Sequence, residues 1–578
     1  MRIDVISRRE DLDRLKQNWD KLYRADPDAQ YFLSWQFISA LFRYFESQWF
    51  VLAASQGARS SHYVALMPLR LKTRMNVKAG IFYHDVHMGG SYFADYTGAV
   101  CAPEFARAAM AAFAKHLRRM HWANLHLDNL YMSSGRLRSF LENLEDKQLT
   151  MRTLSRISAE DNVDNSKCPS VDLPETWDAY LEQKLGTNMR QKLRRFLRKV
   201  DGSEEFRITL ADSATIKRDV GILLDFWKNR WGPRKGNRLS AILNTNRNVF
   251  SDAFANGSLF LPVLWHRDRP LGALATFIDP VKKTYLFCMA GRDESAEIVP
   301  PGLVLHAYSI RHAIANGYRT YDFLRGDEAY KYTFGASDKL ITCKVVQTRT
   351  RRNLGDRLDP STLSSIFHEA NKNHQKGHTA EAENAYRQIL DTDPAHAQTL
   401  YAIGQLLAGK GDHRAAAAAF GKLLVVVPHL AKGWVRLGYA LQALDNHADA
   451  ADAFRKALEI QPDIQSARDG LGISMVKLSQ TGIATTTPRP GCDVRLKAPP
   501  LLGKAKRPTL PLVVGRRQSA DVAPTSLKQS VAIIDPVHYN SGTLPPYPPN
   551  RRAGPTSTPP PGRFLPPPLT GGSISDEG

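Results

Sequence analysis

Three prolines, Pro394, Pro428 and Pro462, stand 34 residues apart, and three further columns keep the same step. Ala382, Ala416 and Ala450 form one, and Tyr386, Phe420 and Phe454 another. Ala370, Gly404, Gly438 and Gly472 form the last. One period shared by several columns means one unit repeated, and such a unit buries its apolar face only against its neighbour. Small residues suit the crossing of two helices, the aromatic sits on the second helix, and the proline ends it. Three units and a capping helix from about Ile464 to Leu478 are expected over 361–480, with Glu369 replacing an apolar residue in the first unit. This region should be an all-α solenoid.

The pattern resembles the tetratricopeptide repeat, most closely at Trp434, Leu437, Gly438, Ala450, Phe454, Ala457 and Pro462. The resemblance implies a concave face that holds a protein or peptide partner, or else a packing or dimerisation module. From Thr481 onward the chain turns to Pro545-Pro546-Tyr547-Pro548-Pro549, Pro559-Pro560-Pro561 and Pro566-Pro567-Pro568. That composition buries too little apolar surface to order itself, so 481–578 is expected to be a disordered, basic, Pro-rich tail.

The net charge of +21 favours anionic partners or, equally, a solvated basic surface. Cys101, Cys168, Cys288, Cys343 and Cys492 are scattered, odd in number and without metal-ligand spacing, which fits a reducing cytoplasm. The start of the chain shows no apolar stretch of signal-peptide length, and no run of about 18 apolar residues marks a membrane span.

The residues before the array read as α/β. Their second half gives a strand (206–211), helices (214–231 and 245–256), a hairpin (258–265 and 272–278) and a strand (285–290), from alternation and turn signals. Pro300-Pro301-Gly302 then opens a helix, because a proline pair presets a first helical turn and glycine lets a ligand approach the backbone. The amides at such a start form an anion site. A strand (318–324), the polar cluster Arg325-Gly326-Asp327-Glu328-Ala329-Tyr330-Lys331 and a last strand (341–348) follow. The first half repeats the order loosely, with its matching helix opening at Cys101-Ala102-Pro103-Glu104. A carboxylate there would repel pyrophosphate, so the second half is expected to bind the donor.

Residues 1–350 resemble the CelD/BcsL-like branch of the GNAT superfamily, and also the FemAB/FemX-type ligases with two tandem GNAT folds. The residues that carry this are Arg190-Gln191-Lys192-Leu193-Arg194-Arg195, Arg230-Trp231, Gly272-Ala273-Leu274-Ala275, Pro301-Gly302-Leu303-Val304-Leu305 and Tyr321 through Lys331. The resemblance implies a mixed sheet flanked by helices in each of two halves, 1–165 and 166–353. It also implies transfer of an acyl group from acyl-CoA, such as acetyl-CoA, to an amine or hydroxyl, in a family linked to cellulose and envelope polysaccharides. The acceptor would be a small molecule or saccharide. Where the family's pyrophosphate loop carries several glycines, this chain has only Gly302.

Acyl transfer from a thioester needs a base for the acceptor, a donor for the carbonyl and an acid for the thiolate. Asp322 and Glu328, with Asp327, are the expected bases, and Tyr330 or Tyr308 the acid. Lys331 joins the catalytic set, while Pro301, Gly302, Leu303, Val304 and Arg325 are assigned to the cofactor. The plain alternative is an Arg325–Glu328 ion pair with Tyr330 packed. His306 reads as packing more readily than as chemistry, and His84, Asp85 and His87 as a loop or acceptor-cleft feature. No metal is expected, since no further ligand stands near in sequence. The basic run 190–199 lies on an amphipathic helix and suits an anionic partner such as tRNA or a membrane, or plain solvation. Two rivals follow: an aminoacyl-tRNA-dependent ligase of the FemX kind, and a non-catalytic scaffold served by its repeats.

Overall fold

The computed structural model describes residues 1–480 apart from 45–47, 58–61, 78, 92, 160 and 297. The Pro-rich tail lies outside the described residues. Seven strands come first: β1 (Arg2–Ile6), β2 (Trp49–Ser55), β3 (Tyr63–Asn76), β4 (Ile81–Met88), β5 (Val100–Cys101), β6 (Asn124–Leu130) and β7 (Leu149–Thr153). Then follow β8 (Lys167–Asp172), β9 (Phe206–Leu210), β10 (Leu259–Phe260), β11 (Pro262–His266), β12 (Arg269–Asp279), β13 (Thr284–Arg292), β14 (Thr320–Asp322) and β15 (Ser337–Leu340). β16 (Thr342–Thr348) closes the α/β part.

The strands form two sheets with matching plans. The first runs β1-β2-β3-β4-β6-β16-β7, and the second β9-β11-β12-β13-β14-β8-β15. Each contains one parallel pair, β4 with β6 and β13 with β14, bridged by the helices Ala106–Leu117 and Pro301–Ala315. Parallel neighbours need such a crossover. The last strand departs from the expected division at 353. β16 leaves the second half and pairs with β6 and β7 in the first sheet, while β8 enters the second sheet between β14 and β15. Its apolar side chains Cys343, Val345 and Val346 are buried on both faces and suit an interior strand in either sheet, so composition alone does not choose.

This exchange ties the halves together, and one core spans them. Trp19, Phe32 and Phe42 of the first half share it with Val220, Phe250 and Phe277 of the second. Behind the second sheet, the Pro301–Ala315 helix buries Val304, Leu305 and Ile310 against Leu274, Tyr285 and Tyr321. Each such side chain withdrawn from water contributes about 1.5–3 kcal/mol before the entropy of ordering is counted.

Three helix pairs and a final helix, Gln465–Gln480, follow as the repeats require. The periodic small residues let aromatic rings lie against the partner helix: a Cβ on Gly438 would stand 2.7 Å from the Phe454 ring. In the capping helix that contact is made by Gly470, two residues ahead of the expected Gly472, whose Cβ position is open. The first pair docks on the β3–β4 hairpin. Gln388 of Thr379–Thr392 accepts from the Phe82 amide at 2.8 Å and donates to its carbonyl at 3.0 Å, and Phe82 joins the repeat core. His84 is therefore on a strand rather than a loop, where its Nε2 accepts from the Asp359 amide at 3.0 Å. Among the described residues no helix is long and apolar enough to cross a membrane.

Candidate active site

β13 and β14 run parallel for only three pairs, Thr284–Thr320, Tyr285–Tyr321 and Leu286–Asp322. Beyond them β13 continues to Arg292 along β12, through an irregularity at Ala275/Thr276, while the other chain turns away and Phe323 donates to Pro169 of the neighbouring β8. Ligands in open α/β sheets usually sit in the crevice outside the carboxyl ends of strands that part in this way.

The Pro301–Ala315 helix starts at this sheet, with Pro300 as N-cap and no side chain capping it. Its close approach is made possible by Gly272, where a Cβ would stand 3.0 Å from Pro301 and 3.1 Å from the Gly291 carbonyl. Of the four helix residues assigned to the cofactor, Pro301 has no N–H and packs. Val304 is buried in the core and its amide donates to Pro300. Gly302 and Leu303 keep the orphan amides of a helix start, and Gly302 has open space beside it. Cations flank the approach: Arg230 and Arg292 each meet Glu294 at 2.8 Å, and Lys199 reaches the Ile298 carbonyl at 3.4 Å.

The segment 322–331 is held from several sides. Asp322 is fully buried and accepts from Tyr96 Oη at 2.9 and 3.0 Å, from Lys339 Nζ at 3.0 Å and from the Leu324 amide at 2.8 Å. Burial and then the Asp322 charge hold the Tyr96 phenol well above its ordinary pKa. For Lys339, burial acts downward, but the Asp322 carboxylate outweighs it and the pKa is raised. Lys331 is 2% exposed, and its ammonium donates to the carbonyls of Leu324 (3.5 Å), Arg325 (2.7 Å) and Gly326 (3.0 Å). These contacts fix a turn in which Leu324 takes φ 56° and Gly326 φ 102°. A leucine in the left-handed region is strained by about 1–3 kcal/mol and persists only where its surroundings dictate it.

The four expected catalytic residues therefore separate. Asp322 and Lys331 are enclosed and shape the turn, whereas Glu328 and Tyr330 reach the surface beside it. Glu328 Oε2 lies 2.9 Å from Lys331 Nζ with a side chain 40% exposed, so its ion-pair partner is Lys331 rather than Arg325. The Arg325 guanidinium pairs with Asp95 of the first half. Tyr330 is 41% exposed, yet crowding around its hydroxyl, followed by the Glu328 charge, keeps its pKa above the ordinary value, with Arg230 pulling the other way. Asp327 accepts from the Asp164 amide at 2.7 Å and pairs with Lys167 at 2.9 Å, and Tyr308 stacks on Phe260. His306 sits among Phe287, Phe323, Tyr330 and Phe334, its Nδ1 3.0 Å from Tyr321 Oη. Burial, then the Lys331 charge, lowers its pKa to about 3, so it is a neutral packed ring. Tyr96 and Asp95 act here through long-range contacts that sequence gave no means of pairing with 322–325.

Residues 187–332 match the acetyltransferase (GNAT) domain family, and 375–425 and 431–464 match tetratricopeptide repeat families. A comparison with curated proteins gave no match. Among solved structures, FemX aligns at 10% identity and TM-score 0.42, covering 60% of this chain and 97% of that one. A conserved protein of unknown function from Bacteroides thetaiotaomicron aligns at 10% identity and TM-score 0.38, over 60% and 100%. The Sgt2 tetratricopeptide domain of Aspergillus fumigatus aligns at 23% identity and TM-score 0.21, over 25% and 95%. The chain thus carries a GNAT acetyltransferase domain of the CelD/BcsL type, with the acyl-transfer chemistry that implies, joined to tetratricopeptide repeats.

Proposed function

We propose that this chain transfers an acyl group from acyl-CoA to an amine or hydroxyl of a saccharide or envelope precursor, in a reducing cytoplasmic compartment, while its repeats hold a protein partner. One observation carries the reading: an uncapped helix start at Gly302 and Leu303 stands at the sheet where β13 and β14 part. The pyrophosphate would sit on these amides with Arg230, Arg292 and Lys199 nearby, and the pantetheine arm would enter the crevice. The acceptor would approach from the Glu328 side. Glu328 would take its proton, and Tyr330, which retains its own at neutral pH, would give one to the departing CoA thiolate. Free Cys101, Cys168, Cys288 and Cys343 suit a reducing compartment.

Calorimetric titration of acetyl-CoA into the full chain tests the donor site. The variant Gly302→Glu has room for its side chain and suits the helix dipole, so it should fold unchanged. It should weaken binding by up to about 1,000-fold, since one unit charge beside a phosphate at 4 Å costs up to about 4 kcal/mol near a protein surface. Unaltered binding in the variant would remove the donor from this helix.

A second reading keeps the fold and changes the donor to an aminoacyl-tRNA. It draws on Lys192, Arg194, Arg195, Arg198 and Lys199, all exposed on the helix Thr187–Asp201. Steep salt-dependent tRNA binding without acetyl-CoA binding would select it.

A further inference from the structure

The parallel pair of the first sheet carries a different chemistry from that of the second. β4 and β6 pair with Asp85 opposite Asn124 and His87 opposite His126. Side chains alternate along a strand, so Asp85, His87, Asn124, His126 and Asp128 share one face. The His87 and His126 rings stack at 4.3 Å between centroids with 9° between their planes. His126 Nε2 is 4.0 Å from Asp85 Oδ2, and the ligand atoms of Asp85, His87 and His126 all lie within 4.8 Å of one another.

We propose that Asp85, His87 and His126 form a binding site for a divalent transition-metal ion of the zinc class. Two imidazoles and one carboxylate are the donor set such ions prefer, with a further coordination position left for water or a bound molecule. Side chains behind these three support the role. Asp128 Oδ2 is 3.9 Å from His87 Nδ1, which leaves Nε2 as the ligand atom, and Asn124 donates to the other Asp85 oxygen at 2.7 Å. A carboxylate behind a ligating histidine and an amide behind a ligating carboxylate are the usual orienting partners. Asp85 and His87 are buried on a strand, and His126, with 26% of its side chain exposed, gives the ion an entry. Ligand atoms around one zinc ion stand roughly 3–3.5 Å apart when the bonds are about 2.1 Å, so the side chains must close by about 1 Å and the two stacked rings must tilt until the ion lies in both ring planes. Arg74 Nε holds the same Asp85 oxygen at 3.2 Å and competes with the cation.

The untagged full chain, treated with a chelator and dialysed, would be titrated with Zn2+ and with Co2+. The expected result is one equivalent of each, with a visible Co2+ absorption band. Asp128→Asn should weaken Zn2+ binding by about 10–100-fold. Arg74→Met should strengthen it several-fold, a change that mere disruption of the sheet would not produce. If His126→Gln does not fold, X-ray absorption on the Zn2+-loaded wild-type chain decides: a nitrogen and oxygen shell supports the site, and sulfur ligation overturns it. Full-stoichiometry binding retained by a folded His126→Gln, or no uptake of either ion by the wild-type chain, also overturns it.

Discussion

The two sheets share a strand plan and differ where it matters for a ligand. In each, a parallel pair is bridged by a crossover helix. In the second half that helix opens with Pro301 and Gly302, with no acidic residue in its first turn, and aromatic rings line the parting strands. In the first half, Pro103, Glu104 and Phe105 form a short turn ahead of Ala106–Leu117, and the parallel strands carry Asp85, His87 and His126. A shared scaffold therefore does not imply a shared ligand. The first-half start differs in more than its charge, because the short turn Pro103–Phe105 precedes the helix proper, so the carboxylate of Glu104 is only one of the differences.

The largest effect should come from the turn at 322–331 in the second half. Lys331→Met leaves three buried carbonyls without their donor, so about 3 kcal/mol or more of stability should be lost, together with acyl transfer. Denaturant unfolding and an assay on the same preparation would measure both. Near-wild-type stability would show that the turn holds itself.

The pH dependence should be gradual and shared by both halves. His306 has a folded pKa near 3 against 6.5, and His84, lowered to about 4 by burial first, acts alike. The unfolded chain then binds more protons between these values. Stability is fully present above pH 6.5 and falls as the pH drops toward 3, by about 1.4 kcal/mol per pH unit for each histidine. Melting temperatures between pH 7 and 4.5 should decline less steeply in His306→Phe, and an unchanged slope would contradict a buried neutral ring.

The smallest effect tests the first half directly. Glu104→Gln should leave acetyl-CoA affinity within about twofold of the wild type, because one uncapped exposed position adds little. A marked gain in affinity or a second bound equivalent would mean that the first half was a donor site masked by one charge.

Much of this architecture was legible in residue pattern. The 34-residue period marked the repeats and the residue types at their helix crossings, and the Pro-Pro-Gly start marked its helix. Three features were not legible, each for a physical reason. β16 joins the first sheet through partners far away in sequence, such as Gln347 with Asn124 and Thr348 with Leu149, and an apolar strand does not name its neighbour. Tyr83, Asp85 and His87 alternate with Phe82, His84, Val86 and Met88 as in a strand, but the three polar residues His84, Asp85 and His87 suggested a loop. Asp322 and Lys331 carry charge in a polar cluster, and only their burial reveals that they hold the turn instead of facing an acceptor.

The most direct test of the asymmetry between the halves is the stoichiometry of acetyl-CoA binding to the full chain by calorimetry. The account predicts one equivalent per chain, abolished by Gly302→Glu and untouched by Glu104→Gln. Two equivalents, or one that survives Gly302→Glu, would contradict it.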